Sequence, residues 1–176
     1  MQKLEQRRKQ KLLPKRKCNL SVNIALTGTP GTGKTSLLEC IIRNYFKDNT
    51  SEKKNENILY INSLSEQGIV YFRQEVYTFC QSKSTIQGKH KIIVLDDIDK
   101  LNEQSQQIFH SCIDKFSDKV NFILSCTNTL KTNQHILNKV FKIKLHTFSY
   151  ATLTDIMDSI TTKEGIIIED DVKDYI

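Results

Sequence analysis

No apolar run in the 176-residue sequence approaches the ~20 residues that a membrane span needs, and no signal-peptide pattern is visible. Both absences argue against a membrane partner. The five cysteines (Cys18, Cys40, Cys80, Cys112 and Cys126) include no C-x-x-C pair, and the four histidines are scattered, which argues against a zinc site. The odd cysteine count fits reduced thiols in an intracellular protein. Arginine is scarce after residue 17, where only Arg43 and Arg73 occur. A small-molecule kinase with an Arg-rich lid is therefore disfavoured. No internal repeat is present.

What is present begins with an uneven charge. Residues 1–17 carry eight Lys or Arg against Glu5 alone, whereas the remaining residues hold 18 basic and 19 acidic side chains. The net charge of +6 is thus a property of the tail and not of the body. The tail "MQKLEQRRKQKLLPKRK" admits three readings: a solvated arm, a nucleic-acid-binding arm, or a nuclear address around "PKRK".

Beyond the tail, apolar runs alternate with helical patterns. Residues 22–27, 58–62, 92–96, 120–126 and 140–145 are predicted strands, and 34–47, 67–82, 102–117 and 133–138 are predicted helices or helical turns. The polar stretch 47–57 is expected to be a surface loop. Strand–helix alternation predicts an α/β fold in which helices cover both faces of a parallel sheet. Residues 151–165 are predicted to form an amphipathic helix stopped by Gly165, with another helix starting near Asp170 or Asp171. That last helix ends on apolar Tyr175 and Ile176, which suggests a truncated chain.

The strongest local signal is "GTPGTGKT", Gly28 to Thr35, which fits G-x-x-x-x-G-K-[ST] after a strand and before a helix. Such a loop curls its backbone N–H groups around phosphate oxygens, and the helix N-terminus adds partial positive charge. The expected nucleotide-binding set is Gly28, Thr29, Pro30, Gly31, Thr32, Gly33, Lys34, Thr35 and Ser36. Lys34 would bridge the β- and γ-phosphates, and the Thr35 hydroxyl would ligate Mg²⁺. Asp96, at the end of the apolar run "IIVL", is the second candidate Mg²⁺ ligand, and Asp97 beside it is a candidate for preparing the attacking water. Asp99 is expected to cap the helix from Asn102 onward. The one Asn-Lys pair that could begin a guanine-reading N/T-K-x-D loop, Asn138-Lys139, continues with Val140 and Phe141, so the Asp is missing and ATP is favoured.

With these motifs placed, residues 22–165 resemble the small subunits of replication factor C, the clamp loaders of the AAA+ ATPase class. "LTGTPGTGKTSLL", "YINSLSEQGIVYFRQEVYTF", "IIVLDDIDKLNEQSQQIFHSCID", "NFILSCTN" and "TKEGI" carry the likeness. It implies a P-loop NTPase core, a three-layer α/β/α arrangement on a five-stranded parallel sheet, with the sensor strand between the P-loop and Walker B strands and the start of a helical lid after it. It places Asn128 at the sensor that touches the γ-phosphate or its water. It also aligns Lys139 with the arginine that reaches into a neighbour's site, where Lys keeps the charge but loses the planar fork.

The domains expected are a basic arm (1–18), the AAA+ core (19–149) and an incomplete lid (150–176). The expected function is an ATP-binding clamp-loader subunit acting with Mg²⁺. Its partners would be other subunits of a hetero-oligomeric ring, a sliding clamp and primed double-stranded DNA, at the nucleus or another site of DNA replication, viral ones included. The rivals are a nucleotide-binding but hydrolysis-poor structural subunit, and a DNA-binding module that works through its arm. Several family features are altered or absent. The Glu-x-Tyr-Arg-Pro segment is missing or reduced to "LLPKRK", and Glu75 and Tyr77 stand near Arg73 where Lys is frequent.

Overall fold

Strand β1 (Ile24–Thr27) opens a parallel sheet around which the described residues are arranged. The computed structural model describes residues 22–62 and 72–168. The basic arm, residues 63–71 of the family-like segment and the helix expected after Asp170 or Asp171 lie outside them.

Helix α1 (Lys34–Tyr45) follows the glycine-rich loop and leads to α2 (Ser51–Asn57) and β2 (Ile58–Asn62). A π-helical turn (Phe72–Val76) runs into α3 (Tyr77–Gln81), then β3 (Lys91–Asp96), a 3₁₀ turn (Ile98–Lys100) and α4 (Glu103–Phe116). Strand β4 (Val120–Cys126), α5 (Gln134–Leu137), β5 (Phe141–Lys144) and α6 (Tyr150–Glu164) complete the described chain.

The strand order is β2-β3-β4-β1-β5, all parallel. Strand β4 therefore lies between β3 and β1, the position that the resemblance gives to a sensor strand. Alternation along the strands splits the core into two layers. Ala25, Ile93, Leu95, Phe122 and Leu124 pack with Phe109, Cys112 and Ile113 of α4, while Leu26, Ile92, Val94 and Ile123 pack with Leu38 and Tyr45 of α1. Burial on both faces explains why β3 reads as the unbroken apolar run Ile92–Leu95 and β4 as a largely apolar one, and not as alternating strands. The register pairs Asn62 with Asp96, Leu95 with Leu124 and Thr27 with Cys126. The carboxyl ends of the central strands thus meet along one edge, where ligands bind in open α/β sheets.

One expectation fails in the 47–57 stretch, because Ser51–Asn57 is a helix and not a loop. It has no apolar stripe, so its period is invisible in hydropathy. Its Glu and Lys are nevertheless good helix formers, and Glu52 sits in the first turn, where negative charge is favoured. The far end is fixed by Asn57, which is fully buried. Its amide donates to the Lys53 carbonyl and Thr85 Oγ1, and its Oδ1 accepts from Ser84 Oγ and the Thr85 N–H. Asn57→Ala removes all four of these bonds and empties a fully buried position, so we expect a loss of about 1–3 kcal/mol. Urea unfolding followed by circular dichroism measures it, and an unchanged midpoint would show the network to be dispensable.

At the other end, α6 stops as expected. Gly165 has φ 68°, and the Ile166 N–H returns to the Thr161 carbonyl. None of its side chains is fully buried, and Ile156 and Ile160 remain exposed.

Candidate nucleotide site

The glycine-rich loop between β1 and α1 needs its glycines for two different reasons. Gly31 and Gly33 have φ of 79° and 80°, the left-handed region that side chains with a Cβ resist. Gly28 is instead a close-approach position. A Cβ there would sit 2.6 Å from the Leu145 carbonyl oxygen and 2.9 Å from Thr32 Oγ1. The loop is also tied internally, because Thr32 Oγ1 donates to the Thr29 carbonyl at 2.8 Å. Gly33 hands over to the first turn of α1, so the free N–H groups of that helix start beside the loop. The Lys34 ammonium is nearly buried and donates to the carbonyls of Gly28 and Thr29, both at 2.8 Å.

Opposite the loop stands Asp96 at the end of β3. Thr35 Oγ1 donates to Asp96 Oδ2 at 3.1 Å, which brings both predicted metal ligands together. Two further hydroxyls hold the same carboxylate: Ser125 Oγ donates to Oδ1, and Tyr60 OH donates to Oδ2 at 3.3 Å. Partial burial and the negative charge of Asp96 push the Tyr60 hydroxyl up to about 12, so it remains a donor. A carboxylate with an adjacent hydroxyl fits Mg²⁺, which takes few protein oxygens and keeps waters and phosphates. Thr35 and Asp96 would hold that ion.

Asp97 is the one non-glycine residue among the described ones with positive φ, at φ 54° and ψ 55°. Asp tolerates this conformation better than most residues, and it still costs about 1–2 kcal/mol. The turn is held because the Asp97 N–H donates to Ser125 Oγ at 2.7 Å and its carbonyl accepts from the Lys100 N–H at 2.9 Å. Its carboxylate is paired with Lys100 Nζ at 2.6 Å. That bond keeps the Lys100 ammonium protonated to above its ordinary range.

Asp99 does not cap α4. Asn102 does, its Oδ1 accepting from the Ser105 N–H at 2.8 Å. The Asp99 carboxylate turns the other way and accepts the N–H groups of Thr127 and Asn128 at 3.1 and 3.0 Å. It thus fastens the loop after β4 to the turn after β3.

A cleft of about 510 Å³ gathers Pro30, Gly31, Gly33, Lys34, Thr35 and Ser36 with Asp97, Asp99, Lys100 and Thr127. Its size suits a small polar ligand. Asn128 does not line it, since its Oδ1 caps the following turn by accepting from the Leu130 N–H at 2.9 Å. Thr127 is the residue of that loop that faces the cleft. Lys139 also stands apart, with its Nζ 2.7 Å from Asp114 Oδ1 on α4, beside His110 and His135. The Lys139 contact keeps the Asp114 carboxyl below its ordinary value.

The sequence alone does not single out Ser125, Tyr60, Asp99, Lys100 or Thr127 as parts of the site. Ser125 does carry a signal. It is a polar residue inside an apolar strand, and the Leu95–Leu124 register sets it level with Asp96.

Residues 24–147 match the family described as ATPase family associated with various cellular activities, AAA. The chain belongs to the AAA family. Among curated proteins it is similar to replication factor C subunit 2 of Arabidopsis thaliana, with 28% identity over 128 residues, 72% of this chain and 37% of that protein. It is likewise similar to the replication factor C small subunit of Methanococcus vannielii, with 28% identity over 147 residues, 84% of this chain and 45% of that protein. The chain spans less than half the length of these curated relatives. The AAA fold is also shared with a DNA polymerase III gamma subunit-related protein of Thermotoga maritima, at TM-score 0.60 and 14% identity over 73% of this chain and 42% of that one. A point variant of RuvB from the same organism matches at TM-score 0.61 and 16% identity, over 86% of this chain and 47% of that chain. No described helix of this AAA chain is long and apolar enough to cross a membrane.

Proposed function

We propose that the chain is an ATP-binding subunit of a clamp-loader assembly, which couples nucleotide binding and hydrolysis to placing a sliding clamp on primed DNA. The observation that carries this is the reach of the likeness. Similarity to replication factor C small subunits runs over 84% of the chain, well past the phosphate-binding loop.

In this reading Gly28 to Ser36 wrap the phosphates with backbone N–H groups, and Lys34 supplies the cation facing the β- and γ-phosphates. Thr35 and Asp96 hold Mg²⁺, which when bound offsets the charge of both phosphates. Ser125 and Tyr60 keep the Asp96 carboxylate in place. Asp97 orients the attacking water, and Asn128 serves as sensor after a turn of its loop. Lys139 serves a neighbour's site after leaving Asp114. The partners are ring subunits, a clamp and primed double-stranded DNA, at a site of DNA replication.

One contact and one residue identity favour a slow variant of this function. Asp97 is engaged by Lys100, and Lys stands where the family has a trans-acting arginine. The test is reconstitution: ATP turnover by the full chain alone, then with replication factor C subunits that carry the arginine, a clamp and primed DNA. Turnover is expected to rise on assembly. A rate unchanged by a full set of partners contradicts the ring reading. Repeating the DNA binding without residues 1–17 separates the arm's contribution, because unchanged affinity and salt dependence would mean that the arm does not touch DNA.

A further inference from the structure

We infer that Lys100 is a built-in restraint on Asp97, an ion pair that keeps the carboxylate engaged and slows hydrolysis until it opens. The inference rests on the proposed role of Asp97 in orienting water.

The geometry ties the two residues twice. Lys100 Nζ lies 2.6 Å from Asp97 Oδ2, and the Lys100 backbone N–H donates to the Asp97 carbonyl at 2.9 Å. The 3₁₀ turn that sets the left-handed backbone of Asp97 therefore also delivers the lysine to its carboxylate. From the opposite side, Ser125 Oγ takes the Asp97 N–H. The Asp97 backbone is thus held at its N–H and its carbonyl, and one carboxylate oxygen already accepts from Lys100. A carboxylate that accepts from an ammonium is a poorer acceptor for water, because the cation withdraws charge from the oxygen the water needs. Lys100 lines the same cleft as Asp97, so the contact lies inside the proposed site and not on a remote face.

Lys34, the other cation of the cleft, is engaged by the Gly28 and Thr29 carbonyls and does not contact Asp97. Asp99, the other nearby acid, is engaged by the Thr127 and Asn128 N–H groups and does not take Lys100. The pair is accessible, with side chains 44% exposed for Lys100 and 25% for Asp97. Such a pair is weak and screened by salt, which makes it a restraint that can open and not a permanent lock.

The experiment compares the full chain with Lys100→Ala, Lys100→Met, Asp97→Asn and the Lys100→Ala/Asp97→Asn double variant. The two readouts are single-turnover hydrolysis of Mg-ATP and affinity for a fluorescent ATP analogue. Lys100→Met keeps the apolar stem and covers the case in which Ala disturbs the turn. We expect Asp97→Asn to slow hydrolysis, and both Lys100 variants to speed it by about two- to fivefold, the size of a partly exposed ion pair. Affinity should stay within about threefold of the parent for the same reason. The double variant should match Asp97→Asn, because a restraint has nothing to act on without its carboxylate. Raising salt should speed the parent but not Lys100→Met, which a purely structural lysine would not produce. An unchanged rate in Asp97→Asn overturns the role of Asp97 and this inference together. A slow Asp97→Asn with flat or slower Lys100 variants overturns the restraint alone. Affinity reduced more than about tenfold in both Lys100 variants would make Lys100 a phosphate-binding cation and overturn the restraint.

Discussion

Lys34→Ala is expected to remove measurable ATP binding while leaving the fold intact. The ammonium is nearly buried against the Gly28 and Thr29 carbonyls, so it both contacts the loop and supplies a cation to the cleft. Charge-assisted hydrogen bonds are worth ~1.5–3 kcal/mol each, and two lost contacts to phosphate would weaken affinity by a factor on the order of 10² to 10⁴. The loop itself should persist, because its shape is set by Gly28, Gly31, Gly33 and the Thr32–Thr29 hydrogen bond. Titration with a fluorescent ATP analogue checks the binding, and circular dichroism checks the fold. Undiminished affinity in a folded variant would move the nucleotide to another site.

The second large effect is expected from Asp97→Glu. Asp is one methylene shorter than Glu, which withdraws the carboxylate by about an ångström. A misplacement on that scale can cost ~10²-fold in rate. Glu at this position should therefore speed hydrolysis in the partner-complemented assembly by roughly 10- to 100-fold. ATP affinity should hardly change, because Lys34, Thr35 and Asp96 are untouched. The left-handed backbone at Asp97 opposes the gain a little, since Glu is less at ease there than Asp, at a cost on the order of 1 kcal/mol in stability. Thermal unfolding reads that cost separately from turnover. Flat or lower turnover in a well-folded variant would mean that the strained backbone already places Asp97 correctly, or that another group orients the water.

The sheet is legible in the sequence because its central strands are covered on both faces. The central strand Val120–Cys126 begins and ends where its apolar run does, and so does the edge strand Ile58–Asn62 although its Tyr60 is exposed. The Gly28–Thr35 loop is legible because each of its constraints is a residue type: glycine for positive φ or close approach, lysine for charge, threonine for a hydroxyl that reaches Asp96. The Ser51–Asn57 helix escapes because its partners are polar and lie about 28 residues away, at Ser84 and Thr85. Spacing to Asn102 makes Asp99 look like a helix cap. Its real partners, the N–H groups of Thr127 and Asn128, become neighbours only through the β3–β4 pairing. The same pairing makes Ser125 a shared partner of Asp96 and Asp97, which one-dimensional spacing does not show. At the end of β4, Thr127 and Asn128 differ in which way they turn from the last strand residue. Only a backbone trace distinguishes them.

By itself, this chain is expected to hold ATP well and to hydrolyse it slowly. The decisive experiment takes nucleotide affinity and single-turnover hydrolysis from one preparation of the full chain with Mg²⁺, without and with partner subunits that supply an arginine. Expected are saturable ATP binding, hydrolysis slower than nucleotide release in the chain alone, and a clear acceleration on assembly. Turnover by the isolated chain near the ~10 s⁻¹ of an average enzyme, with no response to partners, would refute that expectation.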